Sequence, residues 1–359
     1  MRIAIDARPL ASPLTGIGRY TDSLVRRLIK TDHEWFLYSD RPLTAELPET
    51  DNVIVRCGHA RGGSPGSLRW AQWEYVRWAK QDGIDVFWSP RHHLPLLLPD
   101  RIKTVVTIHD LVWKRYPETM QRNNYWLERL LMAPSIRMAD NIIAVSNFTA
   151  SEISHFYHEA SLKVTVVLEA AEEPPVDCPL PEGIPEEFLL FVGTLEPRKN
   201  LKLLLEAYAE VCVQSPPLVI VGGAGWGELH LDKLITDNGL EQKVISLGYI
   251  SEPHLQGLYG NATALVMPSL YEGFGLPLLE AMRHGVPIVT SNTGSMVEIS
   301  GPAAVLIDPT SKESIATSMR QVVSDLQLRG KLSSAGLEQA AHFSWDTAAQ
   351  STLTILETA

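Results

Sequence analysis

Residues 269–282 read SLYEGFGLPLLEAM, and the order of residue types in this stretch settles the local fold. Leu265, Val266 and Met267 just before it end an apolar run of the kind that fills a buried strand. Pro277 suits the first position of a helix, where a missing N–H costs nothing and a fixed φ helps. A strand, a loop and a helix therefore follow one another, with Glu272 in the loop and Glu280 in the first helical turn. Both carboxylates would lie near the positive end of the helix dipole, which favours their ionised form. The backbone N–H groups of Phe274, Gly275 and Leu276 lack helical partners there and are free to bind an anionic or hydroxyl oxygen. Ionised carboxylates only accept hydrogen bonds, so the pair suits a polyhydroxylated ligand such as a sugar and a ribose.

The same unit recurs on both sides of this stretch. Short apolar runs at 2–6, 34–38, 52–56, 86–89, 104–109, 141–145 and 164–168 read as strands, with amphipathic helices at 20–30, 68–81, 124–138 and 150–157. Residues 169–185 then hold five prolines and no periodicity, as a linker does. The rhythm restarts with strands at 188–192, 217–221, 244–247, 264–267, 287–290 and 304–307. This α/β pattern predicts two Rossmann-like, doubly wound domains, 1–170 and 187–345, joined by a linker at 171–186. A cleft facing the carboxyl ends of their strands is where such sheets bind ligands.

Several strand ends carry chemistry. After the strand 189–192 comes GTLEPRKN, 193–200, placing Arg198 and Lys199 where a helix starts, with Asn200 as its cap. A guanidinium fork and an ammonium there can neutralise a diphosphate and stabilise it as it departs. Gly16 and Gly18 fall in the first strand-to-helix loop, and Gly222, Gly223 and Gly225 follow the strand 217–221. Glycine lets backbone N–H groups come close to a phosphate, though it equally serves a tight turn. His109 and Asp110 end the strand 104–109, with Asp110 placed to orient the imidazole or the loop. Ser89, Pro90, Arg91 and His92 end another strand and offer a further polar lining on the first domain's side. Ser146 and Thr149 in VSNFT, 145–149, suit a helix cap.

The bulk numbers bound the rest. At 359 residues, 45% hydrophobic, the chain can build two cores. Its net charge of −11 argues against a nucleic-acid partner, whose phosphates need a basic face. Cys57, Cys178 and Cys212 are widely spaced, so neither a disulfide framework nor a zinc site is expected, and a reducing cytoplasm fits. MRIAIDARPL is interrupted by Asp6 and Arg8, unlike a signal peptide. Pro95, Pro99, His109 and Asp110 break the longest apolar stretches, leaving no membrane span. Helix 68–81 carries Trp70, Trp73, Tyr75 and Trp78 with Arg69 and Arg77, and helix 124–138 carries Trp126, Leu130 and Leu131 with Arg129 and Arg137. That mixture suits an anionic lipid surface, while Trp at helical spacing equally suits a core.

Residues 269–282, with the HGVPIV of 284–289, closely resemble the E-x7-E signature of retaining glycosyltransferases of the GT-B fold, family four. The wording of VGTLEPRKN, 192–200, and of TIHDLVWKRYPE, 107–118, is similar to the mannosyl- and rhamnosyltransferases of bacterial polysaccharide assembly. The resemblance implies a nucleotide-sugar donor held by the second domain. Glu280 would take the ribose, Glu272 and the Phe274–Leu276 amides the sugar, Arg198 and Lys199 the diphosphate, and Tyr249 and Ile250 the base. It also implies that His109 contacts the transferred sugar, that Gly16, Gly18, Gly222 and Gly223 line the donor, and that Ser146, Ser89 and Arg91 lie towards the acceptor. Many relatives carry Arg where Thr194 stands, so Arg198 would supply that guanidinium. The final helix, within 346–359, would cross back to the first domain.

The implied activity is transfer of mannose or rhamnose from a GDP-sugar to a saccharide, lipid-linked acceptor of O-antigen assembly, at the inner face of the cytoplasmic membrane. No D-x-D pair is present, so no metal and no other cofactor is expected. Three rivals share the composition. A GT-B epimerase, or a UDP-dependent glucosyl- or galactosyltransferase, would keep the fold. A nicotinamide enzyme would need G-x-G-x-x-G, where Thr21 replaces the third glycine. A silent sugar-nucleotide binding protein would not need Glu272 or Lys199.

Overall fold

The computed structural model describes residues 1–12, 14–60, 63–223, 225 and 230–359, and of 63–65 the backbone alone. Two compact units form, one from Met1–Trp113, Arg122–Glu169 and Ser344–Ala359, the other from Lys114–Gln121 and Ala170–Phe343. In the first, β1 (Arg2–Asp6), β2 (Glu34–Ser39), β3 (Val53–Cys57), β4 (Val86–Ser89), β5 (Lys103–Ile108), β6 (Asn141–Ala144) and β7 (Val164–Val166) make one sheet. Its order is β3-β2-β1-β4-β5-β6-β7 and every pairing is parallel. The second unit repeats the plan with β8 (Leu189–Val192), β9 (Leu218–Val221), β10 (Val244–Gly248), β11 (Ala264–Met267), β12 (Ile288–Ser291) and β13 (Ala304–Ile307), ordered β10-β9-β8-β11-β12-β13.

The central strands β4, β8, β9, β11 and β12 are buried at every position, as the continuous apolar runs require of parallel strands covered on both faces. Strand order reverses between β1 and β4 in one unit and between β8 and β11 in the other. At such a switch point adjacent loops turn to opposite faces and leave a crevice for a ligand.

Several local expectations are corrected. Gly16 and Gly18 belong to the first turn of the helix Gly16–Leu28 rather than to the loop before it. Part of the segment 171–186, expected as a linker, packs on the second unit. Arg283 pairs with Glu173 at 2.6 Å, and a Cβ on Gly257 would meet the Pro179 carbonyl at 2.3 Å, so this part is laid tightly over the second unit. In the helix Gly63–Gln81 Tyr75 and Trp78 are core residues and Trp73 is exposed, so the aromatic stripe serves two purposes. Helix Trp345–Glu357 lies on the first unit, where Asp346 accepts from Arg27 at 2.7 Å and Trp345 meets Tyr20 edge to face.

Candidate active site

The second unit's switch point gathers the charged residues of two loops. Loop 193–200 leaves β8 and loop 268–275 leaves β11, and the Leu270 amide donates to the Arg198 carbonyl at 2.8 Å, joining them. Across that joint Lys199 Nζ donates to Glu272 Oε1 at 2.6 Å, and Arg198 Nη1 to Glu272 Oε2 at 2.7 Å. Arg198 Nη1 also donates to the Tyr271 carbonyl, and its Nε to Glu196 at 2.8 Å. Arg198, Lys199 and Glu272 are thus brought together, and all three side chains are at most 15% exposed.

Burial alone would push the Glu272 carboxyl up, but the adjacent Lys199 and Arg198 charges outweigh it and hold it down at about 2. Burial lowers the Lys199 ammonium, and the neighbouring Arg198 charge adds to this. Burial raises Glu196. Two cations and two carboxylates make a neutral, nearly dry cluster in which each charge depends on the others. Ser295 Oγ donates to the Glu272 carbonyl at 2.8 Å and fixes the backbone beneath it. Glu196 and Ser295 were missed in the sequence, since neither spacing nor residue type sets them apart there.

The helix after Glu272 runs Leu276–Arg283, with Gly275 at its N-cap at φ +108, a conformation suited to glycine. Pro277 is therefore the second residue, not the first, and Glu280 lies just past the first turn. Among the described residues no acceptor takes the amides of Phe274, Gly275 or Leu276, and Phe274 and Gly275 are buried. Tyr259 donates to Glu280 Oε2 at 2.7 Å, a partner that nothing in the sequence announced.

Asn200 does not cap its helix. It holds φ +60 and its side-chain amide donates instead to the carbonyls of Pro268 and Pro309 at 3.1 and 2.7 Å, tying three loops together. Gly222 has a stricter reason than a turn, because a Cβ there would lie 1.9 Å from the Gly193 carbonyl oxygen. The Gly222 amide donates to the Gly248 carbonyl at 2.9 Å, so the loops after β8, β9 and β10 continue the sheet as a layer of backbone. Gly223 faces open space, Tyr249 is 66% exposed and Ile250 is partly buried beside them.

In the first unit His109 follows β5 and is fixed on three sides. Its Nε2 faces the Pro90 carbonyl at 2.9 Å and its Nδ1 faces Glu169 Oε1 at 3.0 Å. A carbonyl only accepts, so Nε2 carries the proton towards Pro90. The backbone N–H of His109 donates to His92 Nε2 at 3.2 Å. Glu169, not Asp110, orients the imidazole. Asp110 instead accepts from the Val112 amide at 3.1 Å. Sixty residues separate Glu169 from His109 in the chain, which is why only the fold reveals the pair. Ser146 is fully buried and caps the next helix by accepting from Thr149, while fully buried Ser89 donates to the Arg91 carbonyl at 2.8 Å.

Comparison with known proteins accords with this arrangement. A family model described as Glycosyl transferases group 1 matches residues 181–339, and one described as Glycosyltransferase Family 4 matches residues 14–169. The chain is 32% identical to O-antigen chain mannosyltransferase B of Escherichia coli over 98% of both chains. Its fold is similar to that of sucrose-phosphate synthase from Thermosynechococcus elongatus, with a TM-score of 0.82 at 18% identity over 99% of this chain and 98% of that one. It is also similar to HepE of Anabaena, crystallised with UDP and glucose, with a TM-score of 0.77 at 20% identity over 100% and 99%.

Proposed function

The chain belongs to the family-four glycosyltransferases, of the two-domain GT-B fold, and from that premise we propose a retaining transferase that moves mannose from a GDP-sugar onto a saccharide acceptor. The observation that carries the reading is Glu272 held between Arg198 and Lys199 at the second unit's switch point. An arriving diphosphate, with two negative charges or more, competes with Glu272 for the two cations. Glu272 is then free to accept hydrogen bonds from the sugar, and the unpartnered Phe274, Gly275 and Leu276 amides donate to its oxygens. Arg198 and Lys199 stabilise the departing diphosphate, so the step proceeds without a metal. Glu280, oriented by Tyr259, takes the ribose hydroxyls.

Retention follows from attack on the leaving-group face, with the departing phosphate receiving the acceptor's proton. His109, set by Glu169 and Pro90, supports the transferred sugar. The similarity to an O-antigen chain mannosyltransferase supports mannose and an O-antigen saccharide as acceptor. HepE, crystallised with UDP and glucose, supports UDP-glucose as the second donor to test. Trp126 and Leu130, 52% and 63% exposed beside Arg129, supply the surface for contact with an anionic inner membrane.

The test is incubation of the purified protein with GDP-mannose or UDP-glucose, each with a chelator and with or without a mannosyl acceptor, followed by NMR of the new linkage. An α-linked product formed only with acceptor supports the reading. A β-linked product, loss of activity with chelator, or an epimerised nucleotide sugar without acceptor would each refute one element of it.

A further inference from the structure

The first unit has its own switch point, between β1 and β4, and an arginine stands two residues beyond each of these strands: Arg8 after Asp6, and Arg91 after Ser89. The turn that carries Arg91 is held at nearly every polar group. Ser89 Oγ donates to the Arg91 carbonyl, His109 Nε2 to the Pro90 carbonyl, and His93 Nε2 meets Glu128 at 2.9 Å. The Leu94 amide donates to Ser135 Oγ at 2.8 Å. The exceptions are His93 Nδ1, buried without a partner, and the Arg91 guanidinium. Among the described residues Arg91 makes no side-chain hydrogen bond or ion pair, and its Nε is buried with no acceptor.

Arg8 is nearly as incomplete. Its Nε donates to Asp6 Oδ1 at 2.8 Å and its Nη2 to Asp6 Oδ2, but Nη1 is buried and unpartnered although the residue is only 7% exposed. Folded proteins rarely leave guanidinium donors in this state, because a buried donor without an acceptor has lost its water and gained nothing in return. Burial, and then repulsion from Arg8, press on the Arg91 charge, with partial relief from Asp6 and Glu128. An anion beside Arg91 would supply the acceptor that its Nε lacks.

We infer that Arg91, with Arg8 behind it, forms a second anion subsite at the first unit's switch point, which takes a phosphate or diphosphate group of the saccharide acceptor. The second unit has cations at the corresponding topological place, with Arg198 and Lys199 in the loop after β8 at its reversal of strand order. There the cations already hold Glu272, whereas Arg91 holds no carboxylate. The identity of the molecule that bears the phosphate rests on the transferase reading. The anion subsite itself does not.

The two are therefore tested separately. Inorganic pyrophosphate is titrated calorimetrically into full-length Lys199→Ala protein, which weakens the second unit's site. Adding Arg91→Gln is expected to weaken the remaining binding tenfold or more, and Arg91→Lys to retain most of it. In steady-state assays, a mannoside carrying an alkyl diphosphate is expected to show a KM at least tenfold below that of the neutral alkyl mannoside. In Arg91→Gln that advantage is expected to vanish, with the KM of the charged acceptor rising to that of the neutral one. Since the guanidinium has no partner to lose, the Tm of Arg91→Gln is expected to be equal or higher. Unchanged pyrophosphate affinity, an unchanged acceptor preference, or a Tm lowered by several degrees overturns the proposal. So does Arg91-dependent binding to phosphatidylglycerol vesicles without binding of soluble pyrophosphate, which would assign the group to the membrane.

Discussion

Glu272 is one carboxylate with two tasks, and its surroundings separate them. In the structure it neutralises Arg198 and Lys199, and under the proposed function an arriving donor would take those cations from it. Glu272→Ala or Lys199→Ala is expected to lower kcat about a hundredfold or more, the effect of removing one pre-placed charge-stabilising donor. Near-normal turnover in a folded variant would contradict this. The ion pairing also contributes to stability. The Glu272 carboxyl is held at about 2 in the folded protein, below its ordinary value. Its contribution is thus complete above about pH 4.3, the usual glutamate value, and is lost as pH falls towards 2. The shift corresponds to an order of magnitude of about 3 kcal/mol. Glu272→Gln should therefore flatten the acid-side loss of stability in urea titrations between pH 5 and 2.5. A parallel curve for wild type and variant would show that the pair contributes nothing.

Among the elements, the loops after β8 and β9 show how a glycine becomes obligatory. Gly222 at φ +156 leaves no room for a Cβ against the Gly193 carbonyl, while Gly223, one residue on, faces open space. Gly222→Ala must separate backbone segments that the Gly193 and Leu195 amides hold together, at a cost of about 2 kcal/mol or more. Gly223→Ala should change stability by less than about 0.5 kcal/mol. Chemical denaturation of these variants distinguishes the cases, and equal losses would show that the loops yield. The sequence marked all these glycines alike. Its apolar runs placed each strand to within a residue or two, because a strand buried on both faces must be apolar throughout. The helix starts were less legible, as the shift of Gly16 and Gly18 into a helix shows.

For the whole molecule, the chain leaves its first unit briefly after Trp113, rejoins it at Arg122, leaves again after Glu169 and returns at Ser344. Helix Trp345–Glu357 buries Trp345, Ala348, Ala349, Leu353, Ile355 and Leu356, and its charged residues Asp346 and Glu357 meet Arg27 and His33. Each large apolar side chain so buried contributes about 1.5–3 kcal/mol. Deleting residues 344–359 should thus expose the helix Gly16–Leu28 and collapse its hydrogen-exchange protection, while the helix Leu276–Arg283 in the second unit stays protected. Retained protection in Gly16–Leu28 would show that the terminal helix is dispensable there.

The residues alone determined the class and the principal pair. Apolar periodicity fixed two parallel α/β units, and the run from Ser269 to Met282 marked Glu272 and Glu280, because both signals lie in residues adjacent along the chain. Tertiary structure alone decided which charges meet. Glu169 reaches His109, Glu196 and Glu272 share Arg198, and Tyr259 orients Glu280, across 60, 2, 74 and 21 positions. Except for Glu196, these partners come from different loops or helices far apart in the chain, and no local rule connects them. Strand order brings their loops together, and low-dielectric burial makes each pairing consequential.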